Sequence, residues 1–394
     1  MKKAHCCVML ASLTAAAGVH AQSSLTLYGI VDEALAYVSN EAPAAGKPGS
    51  RNFKTLTGGL SGDRWGFKGD EDLGAGLHAI FTLENGFSGY TGAAAQGGRL
   101  FGRQSFVGLA SKTFGTFTMG RQYDFGYDFL APFMSWTQFT GPFGAHVGDN
   151  DNFYQTIRSN NSVKYQTPNW YGFTAGALYG FSNQAAGPDG QGFANNRDYS
   201  IGVAFANGPV RVAANYLRLD HPSSASTTNP NGAVGQYTLG GSSIFYNTSP
   251  VRRQAVISAG GAYNIAPVTI AFIFSDTKLD YVDGSRLHLD NYEVNAKVML
   301  GPAWLVGLGY IYTDGSANGG MSIKPFATGN SPAWHQIDFG VEYLLSKRTT
   351  LHFATVAQFA TRDATVAAIN YDGAVSGSNS YKQIGVVVGL RQTF

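Results

Sequence analysis

Asn291-Tyr292-Glu293-Val294-Asn295-Ala296-Lys297-Val298-Met299-Leu300 decides how the rest of the chain is read. Tyr292, Val294, Ala296, Val298 and Leu300 are apolar or aromatic, and Asn291, Glu293, Asn295 and Lys297 interleave with them. A period of two places successive side chains on opposite faces of a β-strand, so one face of this segment wants water and the other does not. The pattern recurs in Ile337, Phe339, Val341, Tyr343 and Leu345 against Gln336, Asp338, Gly340 and Glu342. It recurs again in Leu351, Phe353, Ala357 and Phe359 against His352 and Gln358, and in Leu77, Ala79, Phe81 and Leu83 against His78, Thr82 and Glu84. The stretch nearest to a membrane helix, residues 298–312, is cut by Gly301-Pro302 into two strand-length pieces joined by a turn.

Alternation alone also suits a soluble sandwich, and three signs favour a barrel in lipid. Apolar faces end in aromatics such as Tyr37, Trp65, Trp170, Tyr171, Trp304 and Tyr312, as expected where strands cross membrane interfaces. Connections alternate between short turns (71–74, 207–209, 265–267, 300–302, 346–348) and long loops, the asymmetry of the two ends of an outer-membrane barrel. The chain also ends in a strand whose Ile384, Val386, Val388 and Leu390 lead to a terminal Phe394. Strands are expected near 24–38, 52–69, 75–87, 99–111, 115–121, 158–167, 170–181, 198–207, 210–219, 253–265, 268–280, 287–300, 303–313, 335–346, 349–361 and 381–394. That makes an all-β, 16-stranded antiparallel transmembrane β-barrel, whose even count brings both termini to one side and leaves no open edge in hydrocarbon. The Ser/Thr/Asn/Gly-rich stretch 221–249 is a loop by composition, so no domain boundary falls there.

Composition excludes other classes. Only 13% of the 394 residues are charged, half the roughly 25% usual in soluble domains. With 13% aromatic residues and a formal charge of +2, the chain is not of the disordered type. Its 51 glycines follow no triplet period, and 27 Lys plus Arg against 25 Asp plus Glu leave no footprint for nucleic acid. Lys2 and Lys3, an apolar run over residues 8–17 and Val19-His20-Ala21 form a secretory signal peptide, residues 1–21, cleaved before Gln22. The barrel domain is then 22–394. Losing two lysines and no acid brings its net charge to zero, and Cys6 and Cys7 leave too, so no disulfide supports it.

Ser24-Leu25-Thr26-Leu27-Tyr28-Gly29, Arg64-Trp65-Gly66-Phe67-Lys68-Gly69 with Glu71-Asp72-Leu73-Gly74, Phe101-Gly102-Arg103-Gln104 with Val107-Gly108-Leu109, Phe114-Gly115, Gly120-Arg121-Gln122 and Gly389-Leu390-Arg391 with Phe394 together form a specific set. On these motifs the chain resembles the trimeric general-diffusion porins of Gram-negative outer membranes, most closely their β-proteobacterial branch. The resemblance spans the whole chain and is strongest in the first 125 residues. It implies three barrels per functional unit, contact with outer-membrane lipid and lipopolysaccharide, and recognition of Phe394 by the barrel-assembly machinery. It also implies a third loop, here residues 122–157, folded inward to narrow the pore, with Arg64, Arg103 and Arg158 on the basic wall opposite it. Parity agrees for Arg64, which lies on the face opposite Trp65 and Phe67; a lipid-facing Arg at the midplane would cost about 2 to 4 kcal/mol.

The loop departs from the family pattern. Porins place carboxylates at its tip, whereas residues 129–148 hold no Asp or Glu, and Gly141-Pro142-Phe143-Gly144 stands where an acid is expected. Acids occur only at Asp124, Asp128, Asp149 and Asp151, on the loop's shoulders. A basic wall facing a neutral tip across a pore comparable to the Debye length of about 8 Å implies a lean toward anions. Asn150 and its neighbours in Gly148-Asp149-Asn150-Asp151-Asn152 offer oxygens at the spacing of a calcium loop's start, but no Glu follows at the twelfth position. No G-x-S-x-G, H-E-x-x-H or G-x-x-x-x-G-K-S/T pattern occurs, and the six histidines from His78 to His352 lie singly. No cofactor, metal or catalytic residue is therefore expected. The function expected is passive diffusion of ions and small hydrophilic solutes. The alternatives are a substrate-selective channel with a solute-binding site and a barrel hydrolase. Glu33 shares the parity of Leu25, Leu27 and Val31 on the lipid face, where burial at a subunit contact is the expected remedy.

Overall fold

The computed structural model describes residues 23–42, 47–184, 192–224, 232–235, 237, 249–319, 327–369 and 378–394. The leader expected at 1–21 lies outside them, as does most of the loop at 221–249. Among the described residues the alternating segments form one antiparallel sheet of seventeen hydrogen-bonded strands. They are β1 (Ser24–Glu41), β2 (Ser50–Thr57), β3 (Arg64–Gly74), β4 (Leu77–Gly86), β5 (Gln104–Ser111), β6 (Gly115–Gln122), β7 (Ser159–Gln166), β8 (Phe173–Gly180) and β9 (Arg197–Asn207). The rest are β10 (Val210–Asp220), β11 (Val251–Ile265), β12 (Val268–Tyr281), β13 (Arg286–Leu300), β14 (Trp304–Asn318), β15 (Pro332–Leu344), β16 (Thr349–Arg362) and β17 (Lys382–Thr393).

The sheet closes because β1 pairs with β17 along one edge, from Ile30↔Thr393 to Val38↔Gly385, and with β2 and β3 along the other. Phe394 seals this seam. Its N–H donates to the Gly29 carbonyl and its own carbonyl accepts from the Gly29 N–H, both at 3.1 Å. Its ring fills the space a Cβ on Gly29 would need, 2.3 Å from the Phe394 Cζ.

Seventeen strands make sixteen spans, because β2 and β3 are two halves of one. The single strand expected at 52–69 is interrupted at 58–63, where side chains take over the ladder. Leu60 and Ser61 donate their N–H groups to Asp32 Oδ2, each at 2.8 Å, and the Asp32 N–H donates to Asp63 Oδ1 at 2.7 Å. With its N–H groups satisfied this way, the backbone can leave the sheet without orphaned donors. Other boundaries shift by a few residues: β14 runs to Asn318, because it pairs with β13 as far as Arg286↔Asn318.

Apart from local register shifts near Val38, Asp72, Gly120 and Val251, the spans keep their parity. Phe272, Leu308 and Leu351 point outward and are 51%, 58% and 44% exposed, while Glu293 and His352, on the other face, are buried. So much exposed apolar surface around a closed sheet suits hydrocarbon. Aromatic belts bound it: Phe274, Tyr292 and Tyr312 stack across neighbouring strands at 5.1 and 6.4 Å toward the long-loop end, and Trp304 meets Tyr343 at 4.5 Å toward the short-turn end. Glu33 faces outward, as its parity requires. Thr57 Oγ1 donates to it at 3.4 Å, and the backbone of Gly89, in the β4–β5 loop, lies against its carboxylate. Within the single chain, that loop is what covers this acid.

Candidate functional site at the pore constriction

Residues 123–158 leave β6, fold into the barrel and run around the inside of its far wall. Asp124 starts them by capping the helix Phe125–Phe129; its Oδ1 accepts the Gly126 N–H at 2.6 Å and that of Tyr127 at 3.3 Å. Phe133 and its neighbours then pack on Ala213, Ala262, Ala271 and Ile273 of β10–β12, and Phe143 packs on Ala354, Val356 and Val387 of β16 and β17. Two glycines admit Phe139 to the wall: a Cβ on Gly307 would lie 2.2 Å from its ring, and one on Gly340 2.1 Å from its carbonyl oxygen. Such closeness forbids any side chain at either position.

Polar anchors fix the loop where wall acids lie beneath it. The Ser135 N–H donates to Glu293 Oε1 at 2.6 Å and its hydroxyl to Asp338 Oδ2 at 2.5 Å. His146 is wedged between Asp151 Oδ2 at 2.6 Å and Glu293 Oε2 at 3.1 Å. Burial works against a charge on this imidazole, but the two carboxylates prevail and push its pKa up to about 10.

Of the four shoulder acids, three are buried and occupied. Asp124 holds the cap and Asn152, Asp149 accepts the N–H groups of Tyr154 and Thr156 at 2.8 and 2.9 Å, and Asp151 takes His146 and the Ser275 hydroxyl. Burial pushes Asp124 up to about 6, and burial with the neighbouring Asp151 pushes Asp149 up to about 7. Asp128 alone reaches the lumen, paired with Lys164 of β7. The oxygens around Asn150 thus serve loop and wall hydrogen bonds.

Arg64, Arg103 and Arg158 come together at the loop's root. Arg64 opens β3 inside the lumen, its Nε donating to the Gly62 carbonyl at 2.9 Å. Arg103 is buried with its Nε 2.8 Å from Glu84 Oε1. Arg158 lies over the Tyr123 ring, 5.5 Å from its centroid. Glu84, seen in the sequence only as an inward position on β4, is the hub here, accepting also from Tyr28 and Tyr123 at 2.8 and 3.3 Å.

Sequence reasoning missed several groups. Arg211 and Lys297 stand on inward positions of β10 and β13, with Arg211 5.9 Å over the Phe133 ring. A row of rings, Tyr123, Tyr127, Trp136 and Tyr154, runs along the loop. Inward parity would have flagged the two cations; nothing in the sequence signals the row. Asp276, His288 and Asp290 bring possible ligand atoms within 4.8 Å of one another on the outer face, where Lys278 already pairs with Asp276 at 3.1 Å.

This geometry, a closed barrel with an apolar exterior and a charged constriction, agrees with comparisons to known proteins. The Gram-negative porin family pattern matches residues 8–364. An outer membrane porin protein of Bordetella pertussis is 32% identical over 354 residues, covering 86% of this chain and 89% of the relative. Outer membrane porin protein 32 of Delftia acidovorans is 31% identical over 402 residues, covering 98% and 99%. Among solved structures, an anion-selective porin from Comamonas acidovorans superposes with a TM-score of 0.70 at 27% identity, covering 95% of this chain and all of that one. The chain belongs to the Gram-negative porin family, as a sixteen-span outer-membrane channel for passive diffusion and not an enzyme.

Proposed function

We propose that this porin conducts small hydrophilic solutes with a lean toward anions, sorted between the loop 122–157 and the wall carrying Arg64, Arg103 and Arg158. One observation carries the reading: the loop roofs the acids of the far wall, so Glu293 and Asp338 are fully buried, while Arg64 on the lumen side is only partly buried. Charges beneath the roof are tied into short hydrogen bonds, and those in front of it act on the pore within a Debye length. A similar porin that is described as anion-selective supports the same sign. The reversal potential of the purified channel under a potassium chloride gradient tests it. A chloride-favouring sign is expected, and a potassium-favouring one would overturn the assignment.

Three barrels form the working unit in this reading, with the outward face of β1, where Leu27, Val31 and Leu35 are exposed beside Glu33, at the contact. Conductance steps in threes and a cross-linked mass of three chains are the expected signatures. Residues 1–21 act as the leader in this reading, and mass spectrometry of the mature protein is expected to find Gln22 at its start. Lipid and lipopolysaccharide surround the trimer, and the strand ending in Phe394 is what the assembly machinery engages.

A further inference from the structure

The loop's row of rings packs in the same cluster as Ala213, Ala262, Ala271 and Ile273 of the wall, and its Tyr123 end lies beside the arginines. Tyr123 and Tyr127 have centroids 4.5 Å apart, Tyr127 stacks on Trp136 at 6.3 Å with 27° between planes, and Trp136 meets Tyr154 edge-on at 5.1 Å. Tyr127 and Tyr154 are partly open to the lumen, while Tyr123 and Trp136 are buried behind them. At the Tyr123 end the row meets Arg158, and the Tyr123 hydroxyl shares Glu84 with Arg103. Asp128, the acid in this stretch that reaches the lumen, is held by Lys164. The constriction therefore offers π-faces on one side and guanidinium groups on the other.

A chloride ion or an acetate can use only the second of these. A planar ring bearing a carboxylate can use both at once, laying its face on an aromatic side chain and pointing its charge at a guanidinium. We propose that the constriction holds a saturable binding site for monocyclic aromatic carboxylates, with Tyr127 and Tyr154 as the stacking surface and Arg64 and Arg158 as the charge partners. The site rests on the anion-leaning reading above and adds a solute class to it.

Trimers in planar bilayers, bathed in potassium chloride and titrated with benzoate, cyclohexanecarboxylate or acetate, test this. Benzoate and cyclohexanecarboxylate share charge and bulk, and only benzoate has a planar π-face. Benzoate is expected to reduce the chloride current along a saturating curve, with half-block roughly threefold to tenfold below that of cyclohexanecarboxylate, the factor that one ring contact carries. Acetate should show no saturation. Tyr127→Leu should bring the two ring acids together, and Tyr154→Leu provides a second comparison if that variant fails to assemble. Equal block by the three acids in the wild-type channel overturns the site. The reversal potential on the same membranes tells the two failures apart: chloride-leaning channels with equal block lose only the aromatic site, whereas potassium-leaning channels lose the anion reading and this site with it.

Discussion

The two halves of the inner wall treat charge in opposite ways. On the half made by β3–β7, Arg64 is only partly buried, and Asp128 of the loop, paired with the buried Lys164, is partly open. On the half made by β8–β17, Asp198, Glu293 and Asp338 stand behind the loop, each fully buried and each given donors. The Ser159 hydroxyl serves Asp198 at 2.5 Å, Ser135 and the Asn295 amide serve Glu293, and Ser135 with Gln336 serves Asp338. A chain whose barrel domain is neutral overall can therefore hold a field of one sign in its pore, because burial decides which charges a solute meets. Composition says nothing about that sorting.

The largest way to break the contrast is to unseat the roof. Glu293→Ala removes the acceptor of the Ser135 N–H and one of the two carboxylates on His146, leaving a buried cation half-compensated. Loss of one partner from a buried pair typically costs about 3 to 5 kcal/mol. We expect a lower urea midpoint for the refoldable barrel, with new proteolytic cuts inside residues 123–158. Cuts confined to other loops would show that Glu293 does not hold the roof down.

Next in size is pH, which acts on the same anchors. Asp124 and Asp149, raised to about 6 and about 7, bind protons more tightly in the seated loop than in a released one. Their contribution is complete in acid and is lost as pH rises through those values. His146, raised from 6.5 to about 10, contributes fully below 6.5 and loses its share as pH climbs through about 10. All three weaken the anchor as pH rises, the two aspartates between about 4 and about 7 and His146 between about 6.5 and about 10. Hydrogen exchange at loop amides, corrected for intrinsic rates, should show more than about tenfold less protection at about pH 9 than at about pH 6, with His146 the largest contributor. Protection that rises with pH contradicts the anchor scheme.

What could be read in advance divides along the same line. The barrel was legible because period two is local: residues 291–300 state their two faces without reference to any other part of the chain, and Arg64 could be placed inward by counting from Trp65. The interruption at 58–63 was not, since the acceptors that replace its ladder come from Asp32, on β1, and from Asp63. The loop was half legible. Its neutral stretch 129–148 is plain in the sequence, and that this stretch is roofing rather than lining is not. Ser135 reaches Glu293 across 158 positions and Asp338 across 203, and no pattern encodes contacts at that separation. Asp151, held by Ser275 across 124 positions, looks like a pore acid until that partner is known.

Arg64→Ala sharpens the contrast from the open side. In a water-filled lumen a unit charge acts on a passing ion with about 1 kcal/mol at 4 Å, so the chloride-to-potassium permeability ratio should fall by roughly fivefold. Measured reversal potentials check it, and an unchanged ratio would mean that the guanidinium is turned away from the ions' path.

Asp128→Asn carries the smallest effect and the most specific sign. Asp128 is the loop acid that reaches the lumen, and its ion pair with Lys164 is partly solvated, a setting in which such pairs are worth about 0 to 1 kcal/mol. Lys164 keeps its other partners, the Tyr123 carbonyl at 2.8 Å and the Phe125 ring at 4.6 Å, so its ammonium stays in place when the carboxylate goes. One negative charge then leaves the lumen and nothing positive follows it. The permeability ratio should move toward chloride by less than about twofold, opposite in direction to Arg64→Ala. The same exchange at Asp151, beneath the roof, should leave the ratio alone and loosen the loop instead, because that carboxylate faces His146 and Ser275 and not the ions. If Asp151→Asn shifts selectivity as much as Asp128→Asn does, burial is not what sorts these charges, and the distinction between the two walls fails.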